Sequence, residues 1–331
     1  MPSKVSIIVV NFNGMRYLDA CLDSILIQSY QNFELIFVDN ASTDGSLEHI
    51  RKRFPHLNYV VNDRNRGYAG GVNSGLAVAS GEYIAPVNMD TEADPDWLIN
   101  MLDFLQSHPE AGAVCPKVLI MDQRNVVNCN GLKIHVSGLG FCRMLHQPDM
   151  PDQAPQRVSG ISGCSFLIKK DLFDRMGGAP EYCFMYNDDV VVSWLLALMG
   201  YDMYCLPQSV IYHRYRLSMT PVKFFHLEKN RLYLIFTTLH WYTTLLLSPL
   251  LLVIEAMVLV YSCLKGWPYP RSKLGAYWAL FKERKTIWQV RKAYGKLRRV
   301  SDFTLLSRLA WNLEWGQLFG IVRFRLRGTR S

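Results

Sequence analysis

Val5-Ser-Ile-Ile-Val-Val-Asn-Phe-Asn-Gly14 is an apolar run that stops abruptly at two asparagines and a glycine. A short continuous apolar run reads as a strand buried on both faces, as in a parallel sheet. Asn11–Gly14 is then its turn. Tyr17–Gln28 follows with Leu18, Cys21, Leu22, Ile25 and Leu26 at helical spacing. Phe33–Val38 repeats the strand pattern, and Asp39–Gly45 is a polar loop. Ser46–Phe54 reads as a helix and Tyr59–Asn62 as a short strand. Gly70–Ser80 is a helix entered from a glycine-rich loop; Tyr83–Val87 is a strand and Asp96–His108 a helix. Alternation of this kind builds an α/β, Rossmann-like, mostly parallel central sheet with helices on both faces.

The pattern weakens from Ala113 to Arg157, where mixed strands and a mobile loop near Gln147–Gln156 are expected. Ser165–Lys169 reads as a strand and Asp171–Met176 as a helix start. Val190–Met199 is an apolar helix, followed by two extended segments, Met203–Pro207 and Val210–His213. Thr220-Pro221 pairs a capping hydroxyl with proline at the first helical position, which marks a helix start.

In such sheets ligands bind outside the carboxyl ends of the strands. Those ends read Asn11-Phe12-Asn13-Gly14, Asp39-Asn40, Asn62-Asp63 and Asn88-Met89-Asp90. One Asn or Asp at a strand end is turn chemistry. Four on one rim suggest a polar site for a base, a ribose and a metal.

Five further segments carry a resemblance. They are Val38-Asp-Asn-Ala-Ser-Thr-Asp-Gly-Ser46, Asn65-Arg-Gly-Tyr-Ala-Gly-Gly-Val-Asn-Ser-Gly75, Val87-Asn-Met-Asp-Thr91, Phe184-Met-Tyr-Asn-Asp-Asp189 and Val210-Ile-Tyr-His213. With Val5–Gly14, and in this order, they resemble the family 2 glycosyltransferases of GT-A fold over about residues 4–215. The branch they most resemble contains the bacterial rhamnosyltransferases of polysaccharide assembly. The resemblance implies a nucleotide-diphosphate sugar donor, surrounded by Asn11, Phe12, Asp39, Asn40, Asn65, Arg66, Asn73 and Asn88. Within that set, Asp39 would read a pyrimidine edge and Phe12 would contact the base.

Asn88-Met89-Asp90 matches the family's D-x-D metal motif with Asn in the first place. A diphosphate leaving group is strongly anionic, and a hard cation with oxygen ligands offsets it. Asp90 would hold Mg2+ or Mn2+, and His213 would complete the metal shell. The alternatives are a helix cap for Asp90 and an ordinary hydrogen-bonded role for His213. Asp188-Asp189 resembles the acid pair whose second member removes the acceptor hydroxyl's proton, so Asp189 is the first choice of base and Asp188 the second. Acids also suit a helix N-terminus, and both roles are compatible. The pattern departs from the family at Asp188-Asp-Val-Val-Val192, which lacks a further acid and has no basic residue until Arg214. The pocket behind the pair is therefore expected to be apolar.

The net charge of +8 is unevenly placed. Residues 265–331 hold 16 Lys/Arg against 3 Asp/Glu, while the rest of the chain holds 20 against 25. A basic tail suits an anionic surface. It follows Leu232–Ile254, 23 residues without Asp, Glu, Lys or Arg, then Glu255 and a second apolar stretch to Leu264. Runs of this length are membrane candidates. A single span would separate the basic tail from the donor site, and Pro249 sits where a helix would kink. Residues 232–264 are therefore expected to form a re-entrant hairpin or interfacial helices on the cytoplasmic face of the membrane. Trp267, Tyr269, Tyr277, Trp278 and Trp288 accompany the charges, which favours a membrane over nucleic acid. The eight cysteines form no C-x-x-C pair, which argues against structural zinc and for a reducing compartment. Met1–Lys4 runs directly into Val5–Val10, too short for a signal peptide.

The chain is thus expected to divide into a 1–215 catalytic domain and a 216–331 helical, membrane-associating region. The expected reaction is inverting, metal-assisted transfer of a sugar, rhamnose among the candidates, to a hydroxyl of a lipid-linked or glycan acceptor. Two alternatives stand beside it: a polyprenyl-phosphate sugar synthase, and a catalytically degenerate nucleotide-sugar-binding protein.

Overall fold

The computed structural model describes residues 3–150, 154–214 and 218–317. Strand β1 (Val5–Asn11) leads through α1 (Met15–Leu26), β2 (Phe33–Asp39), α2 (Ser46–Arg53), β3 (Asn58–Val61) and α3 (Gly67–Leu76) to β4 (Tyr83–Asn88). The middle of the chain comprises β5 (Thr91–Ala93), α4 (Trp97–Ser107), β6 (Ala111–Ile120), β7 (Gln123–Cys129), β8 (Leu132–Ile134), β9 (Gly140–Cys142), β10 (Gln156–Val158) and β11 (Leu167–Lys169). Then come α5 (Lys170–Arg175), α6 (Asp188–Leu198) and β12 (Asp202–His213). The C-terminal part is helical: α7 (Pro221–Thr238), α8 (Trp241–Lys265), α9 (Pro268–Lys282), α10 (Arg284–Leu297) and α11 (Asp302–Ser307).

The main sheet runs β10-β12-β6-β11-β4-β1-β2-β3, with β5 on β12 and β7 on β6. β1 is parallel to β2 and β4, β2 to β3, and β6 to β12, while β11 is antiparallel to both β4 and β6. The fold is an α/β, mostly parallel mixed sheet followed by a helical region with one long apolar helix. In β1 every residue is buried, as a central parallel strand requires. The register Asn11↔Asp39 and Val10↔Asn88 sets three polar strand ends side by side on one rim.

Several boundaries differ from the expectations. The helix expected from Gly70 begins at Gly67, whose φ of +72° is a turn into the helix that glycine allows. The two extended segments at 203–213 are one strand, β12, with a register shift between Leu206 and Val210. The loop near Gln147–Gln156 lies partly outside the described residues. On its described side, Asp149 pairs with the buried Lys117 at 2.6 Å.

The apolar stretch 232–264 is not one unit. Leu232, Tyr233, Leu234, Ile235 and Leu239 are buried. They belong to α7 and its C-terminal end: Leu234, Ile235 and Leu239 join the core of the α/β part, while Leu232 and Tyr233 cluster with Leu280 of α9. The chain breaks at Leu239–His240, where both residues are extended, and the His240 N–H is capped by Asp302 at 3.0 Å. Pro249 does not break the chain, because α8 continues through it. A proline removes one helical hydrogen bond, and the leucines on either side, 245–247 and 250–252, favour the helix past that gap. Farther on, Ala310 pairs with the 134–136 backbone, and Leu305, Leu306 and Leu309 join the same buried cluster as β1 and β4.

Candidate active site

Four groups of residues meet at the rim. The first pins the loops after β1 and β2. The Asn11 amide donates to Asp39 at 2.9 Å, Ser42 at 3.0 Å and Ser46 at 2.8 Å, while its oxygen accepts from Gly14 N. The other Asp39 oxygen accepts from Ser42 N. Asn40 donates to Gly67 O and accepts from Asn62. Asn11, Asp39 and Asn40 are buried, and Phe12 stands exposed above them.

The second group lies at the start of α3. Asn65 accepts from Gly67 N, and Arg66 reaches Ser74 and Glu181. Asn73 binds both the N–H and the carbonyl of Ala179. Arg66 and Asn73 therefore tie the glycine-rich segment to the 179–181 stretch, while Asn65 holds its first turn. Asn88 is partly exposed at the end of β4.

The third group is Asp90 with His213. β5 pairs antiparallel with β12 in the register Thr91↔His213, which carries the imidazole back over Asp90. His213 Nε2 lies 3.5 Å from Asp90 Oδ1, and His213 Nδ1 lies 2.9 Å from Asn128 Oδ1. With Asn128 Oδ1 as acceptor, Nδ1 is the donor of that pair and Nε2 is the nitrogen turned to the Asp90 carboxylate. An imidazole nitrogen and a carboxylate oxygen at this separation would fit one divalent cation between them. No cluster of three or more His, Cys, Asp and Glu able to hold a metal occurs among the described residues. The protein would thus supply two ligands.

The fourth group is Asp188-Asp189, which opens α6. Residues Val190–Leu198 of this helix are all buried, as expected behind the pair. Asp189 accepts from Gly163 N at 3.0 Å and Val190 N at 2.8 Å. Its Cβ lies 3.0 Å from the position a Gly163 side chain would take, so glycine there lets the loop approach. Burial, then the charge of Asp189, pushes the Asp188 carboxyl up to about 7. Burial also raises Asp189, against the opposing pull of the Gly163 and Val190 N–H groups and Lys223.

Three residues outside the expected set join the site. The Tyr68 hydroxyl donates to Gly163 O at 3.4 Å. Burial, and then the charges of Asp188, Asp189 and Asp90 among others, hold that hydroxyl well above the usual tyrosine range. Lys223, in the first turn of α7, lies 4.9 Å over the Tyr186 ring and acts electrostatically on Asp189. Asn128 orients His213. Tyr68 stands inside the Asn65–Gly75 motif and could have been singled out as its one aromatic residue. Lys223 is announced only by its place three residues after the Thr220 cap.

Residues 6–177 match the description Glycosyl transferase family 2, more than half of the chain. The chain belongs to glycosyltransferase family 2. It is 33% identical over 113 residues to an uncharacterized glycosyltransferase of Haemophilus influenzae, covering 33% of this chain and 35% of that one. It is 24% identical over 208 residues to a poly-beta-1,6-N-acetyl-D-glucosamine synthase of Staphylococcus epidermidis, covering 62% and 48%. The chain thus spans half or less of the length of these curated relatives. Among solved structures, GalNAc-T7 with UDP, GalNAc and Mn2+ superposes with TM-score 0.60 at 16% identity, covering 73% of this chain and 49% of that one. A mannosyltransferase of Pyrobaculum calidifontis in complex with GDP-Man and Mn2+ gives 0.53 at 20% identity, covering 89% and 87%. These likenesses establish the GT-A fold. None of the relatives named here is described as a rhamnosyltransferase.

Proposed function

We propose that this family 2 member transfers a sugar, with inversion, from a nucleotide-diphosphate donor to a hydroxyl of a lipid-linked glycan at the cytoplasmic face of a membrane. The observation that carries the reading is the 163–164 backbone that joins the two pairs: Gly163 N donates to Asp189, Gly163 O accepts from Tyr68, and Cys164 O accepts from Asn88 N, two residues before Asp90 and its His213 partner. Opposite ends of a displacement need opposite help. On the leaving side, Asp90 and His213 would hold Mg2+ or Mn2+, with the remaining ligands from the diphosphate and water; the cation offsets charge on the departing phosphates. On the attacking side, Asp189 takes the acceptor hydroxyl's proton. Its fixed oxygens favour a defined line of attack, and burial raises its proton affinity toward the working pH.

Asn11, Asp39, Asn40 and Asn73 act in this reading mostly by shaping the donor loops, with Phe12 against the base. Asn65 and Arg66 hold the glycine-rich segment in place, and Asn88 borders the phosphates. Lys223 supplies the basic group missing from the motif after Asp189 and meets an acceptor phosphate.

The membrane part rests on α8. It is long and apolar enough to cross a bilayer, and only 17% of its most apolar window is buried. Yet Glu255, in its second half, is tied to Arg231 of α7 and Lys273 of α9. That contact holds α8 against α7 and α9, and α7 is fixed in turn to the 182–186 backbone. An in-plane helix accommodates it, whereas a span would leave this ion cluster in hydrocarbon.

The test is turnover of a panel of UDP-, GDP- and dTDP-sugars with Mn2+ or Mg2+, using polyprenyl-diphosphate glycans as acceptors. dTDP-rhamnose is included because the motifs resemble those of rhamnosyltransferases. Asp189→Asn should lower kcat by about 10²–10⁴ while nucleotide binding persists. Full activity of that variant, or a sugar monophosphate-lipid as the product, would overturn the assignment.

A further inference from the structure

Glu228-Lys229-Asn230-Arg231 is a polar tetrapeptide in the middle of α7, and all four residues are buried, at 3%, 7%, 0% and 1% exposure. Buried polar residues need partners, and these four find them on two different sides. Glu228 and Arg231 pair with each other, and both join Lys273 of α9 and Glu255 of α8 in one ion cluster. Lys229 and Asn230 turn instead toward the stretch that leads into Asp188-Asp189.

That stretch is unusual. Phe184, Tyr186 and Asn187 have φ of 56°, 62° and 61°, three left-handed non-glycine residues within four positions. Such backbone persists only where its surroundings over-determine it. The Asn230 amide nitrogen donates to Cys183 O at 3.0 Å, Met185 O at 3.1 Å and Tyr186 O at 2.8 Å. Lys229 Nζ donates to Tyr182 O at 2.7 Å, and Asn187 returns a bond to Leu227 O at 3.2 Å. From the opposite side, Tyr68 N donates to Phe184 O at 2.7 Å. A side chain at Gly67 would come within 2.2 Å of that same oxygen.

The orientation of the Asn230 amide is dictated. Turned over, its oxygen would face three carbonyl oxygens. As it stands, Oδ1 is buried without a hydrogen-bond partner. A side chain kept only to fill space would not carry that unmet acceptor.

We propose that Asn230 is a positioning residue for the transfer: by gathering the carbonyls of residues 183, 185 and 186, it sets where Asp188 and Asp189 meet the substrates. The inference rests on the reaction proposed above. In this arrangement α7 is part of the site and not merely a tether. One helix turn holds the acid-bearing stretch on one side and the anchor of the membrane-facing helix on the other.

Asn230→Leu removes the donors at similar size. Its kcat should fall at least about tenfold while the Kd for UDP or GDP with Mn2+ stays within about twofold, since Asn65, Arg66 and Asn73 hold the glycine-rich segment through bonds that do not involve Asn230. The acidic limb of the rate profile should also move. Asn230→Gln, which keeps an amide, should recover part of the rate. Thr237→Val, a buried change on the same helix away from the turn, should leave the rate as it was. An Asn230→Leu protein with a normal melting curve, kcat and pH profile would overturn the proposal. So would a loss of rate matched by an equal loss of nucleotide affinity. Should Asn230→Leu fail to fold, Lys229→Met, which cuts the Tyr182 tether, is judged by the same criteria.

A second readout needs no donor. Carbodiimide labelling of Asp188 and Asp189 at pH 6.5, mapped by peptide mass, should change in Asn230→Leu. Unchanged labelling would overturn the positioning role even if no donor is turned over by the unmodified protein, an outcome that counts instead against the proposed reaction.

Discussion

Asp189 is fastened by the N–H groups of Gly163 and Val190, and its neighbour Asp188 is pushed up to about 7 by burial and by Asp189 itself. Two carboxyls this close titrate as a pair. In the proposed reaction Asp189 acts ionised, so kcat/KM should fall on the acidic side at a pH that burial sets above the ordinary carboxylate range. Asp188→Asn removes a like charge and should carry the acidic limb to lower pH. Lys223→Met removes the cation that favours the Asp189 carboxylate and should carry it higher. Shifts in the same direction, read from the two pH profiles, would contradict this electrostatic account. Stability follows the opposite sign. Asp188 in the folded protein holds its proton above the ordinary 3.8, so its neutral form stabilises the fold below about pH 4, and that contribution is lost as pH rises through about 7. Asp188→Asn stays neutral throughout. Its Tm should exceed the parent's at pH 8, and the gap should close at pH 4. At this scale much of the site could be read from the sequence, because Asp90, His213 and the acid pair are written as local motifs. Tyr68 was hidden by its glycines. Lys223 and Asn230 were hidden for another reason: they reach the site from a helix beyond the last motif, and only packing brings them there.

The helices α7, α8 and α9 are joined by Glu228, Arg231, Glu255 and Lys273, two acids and two bases largely away from water. Burial alone would raise Glu228, but Arg231 and Lys273 outweigh it and hold the carboxyl below its usual range. Removing one member leaves a charge without its full complement. Lys273→Met should therefore destabilise the protein by about 3–5 kcal/mol in urea melts. Adding Glu228→Gln should return much of that loss, and a double-mutant cycle measures the coupling. Additive losses would mean that the two side chains act independently. The cap on α7 is a smaller matter: Thr220 accepts from Lys223 N at 3.1 Å, and its loss should cost about 1 kcal/mol. The start of α7 was readable because Thr220-Pro221 is local chemistry. Its partition from α8 was not. Leu232–Ile254 carries one uncharged composition, yet most of Leu232–Leu239 faces the protein core while much of the helix from Trp241 onward faces outward. Hydropathy measures what a residue is and not which surface it meets, and the proline that reads as the natural break is carried within the helix.

Across the whole molecule, the exposed apolar side chains of α8 include Leu245 and Leu246, then Leu252 and Val253, then Leu259 and Val260, with Trp241 and Tyr242 at one end and Leu264 at the other. Pairs repeating every seven residues return to one face after two turns, so the stripe runs the length of the helix. Trp267 just before α9, Leu274, Trp278 and Phe281 on α9, and Trp288 on α10 are exposed as well. Lys282 lies over Trp278, Arg284 over Phe281 and Lys292 over Trp288. Apolar rings beside cations suit the boundary between lipid tails and anionic head groups. A helix lying in that boundary keeps every point of its stripe at one depth, about 5–10 Å below the head groups. A helix crossing the bilayer does not: its rise of about 1.5 Å per residue separates positions 246 and 260 by roughly 20 Å. Single cysteines introduced at Leu246, Val253 and Val260, in a chain whose exposed Cys263 has been changed to serine, can carry an environment-sensitive fluorophore. Bound to vesicles of anionic phospholipid, the three labels should be quenched equally by lipids brominated near the head group, and weakly by lipids brominated at the chain ends. A graded series, with Val253 most sensitive to the deep quencher, would mean that α8 spans. That result would also place Glu255 and its two cationic partners inside the bilayer, and would force a different arrangement of α7 against the acid pair.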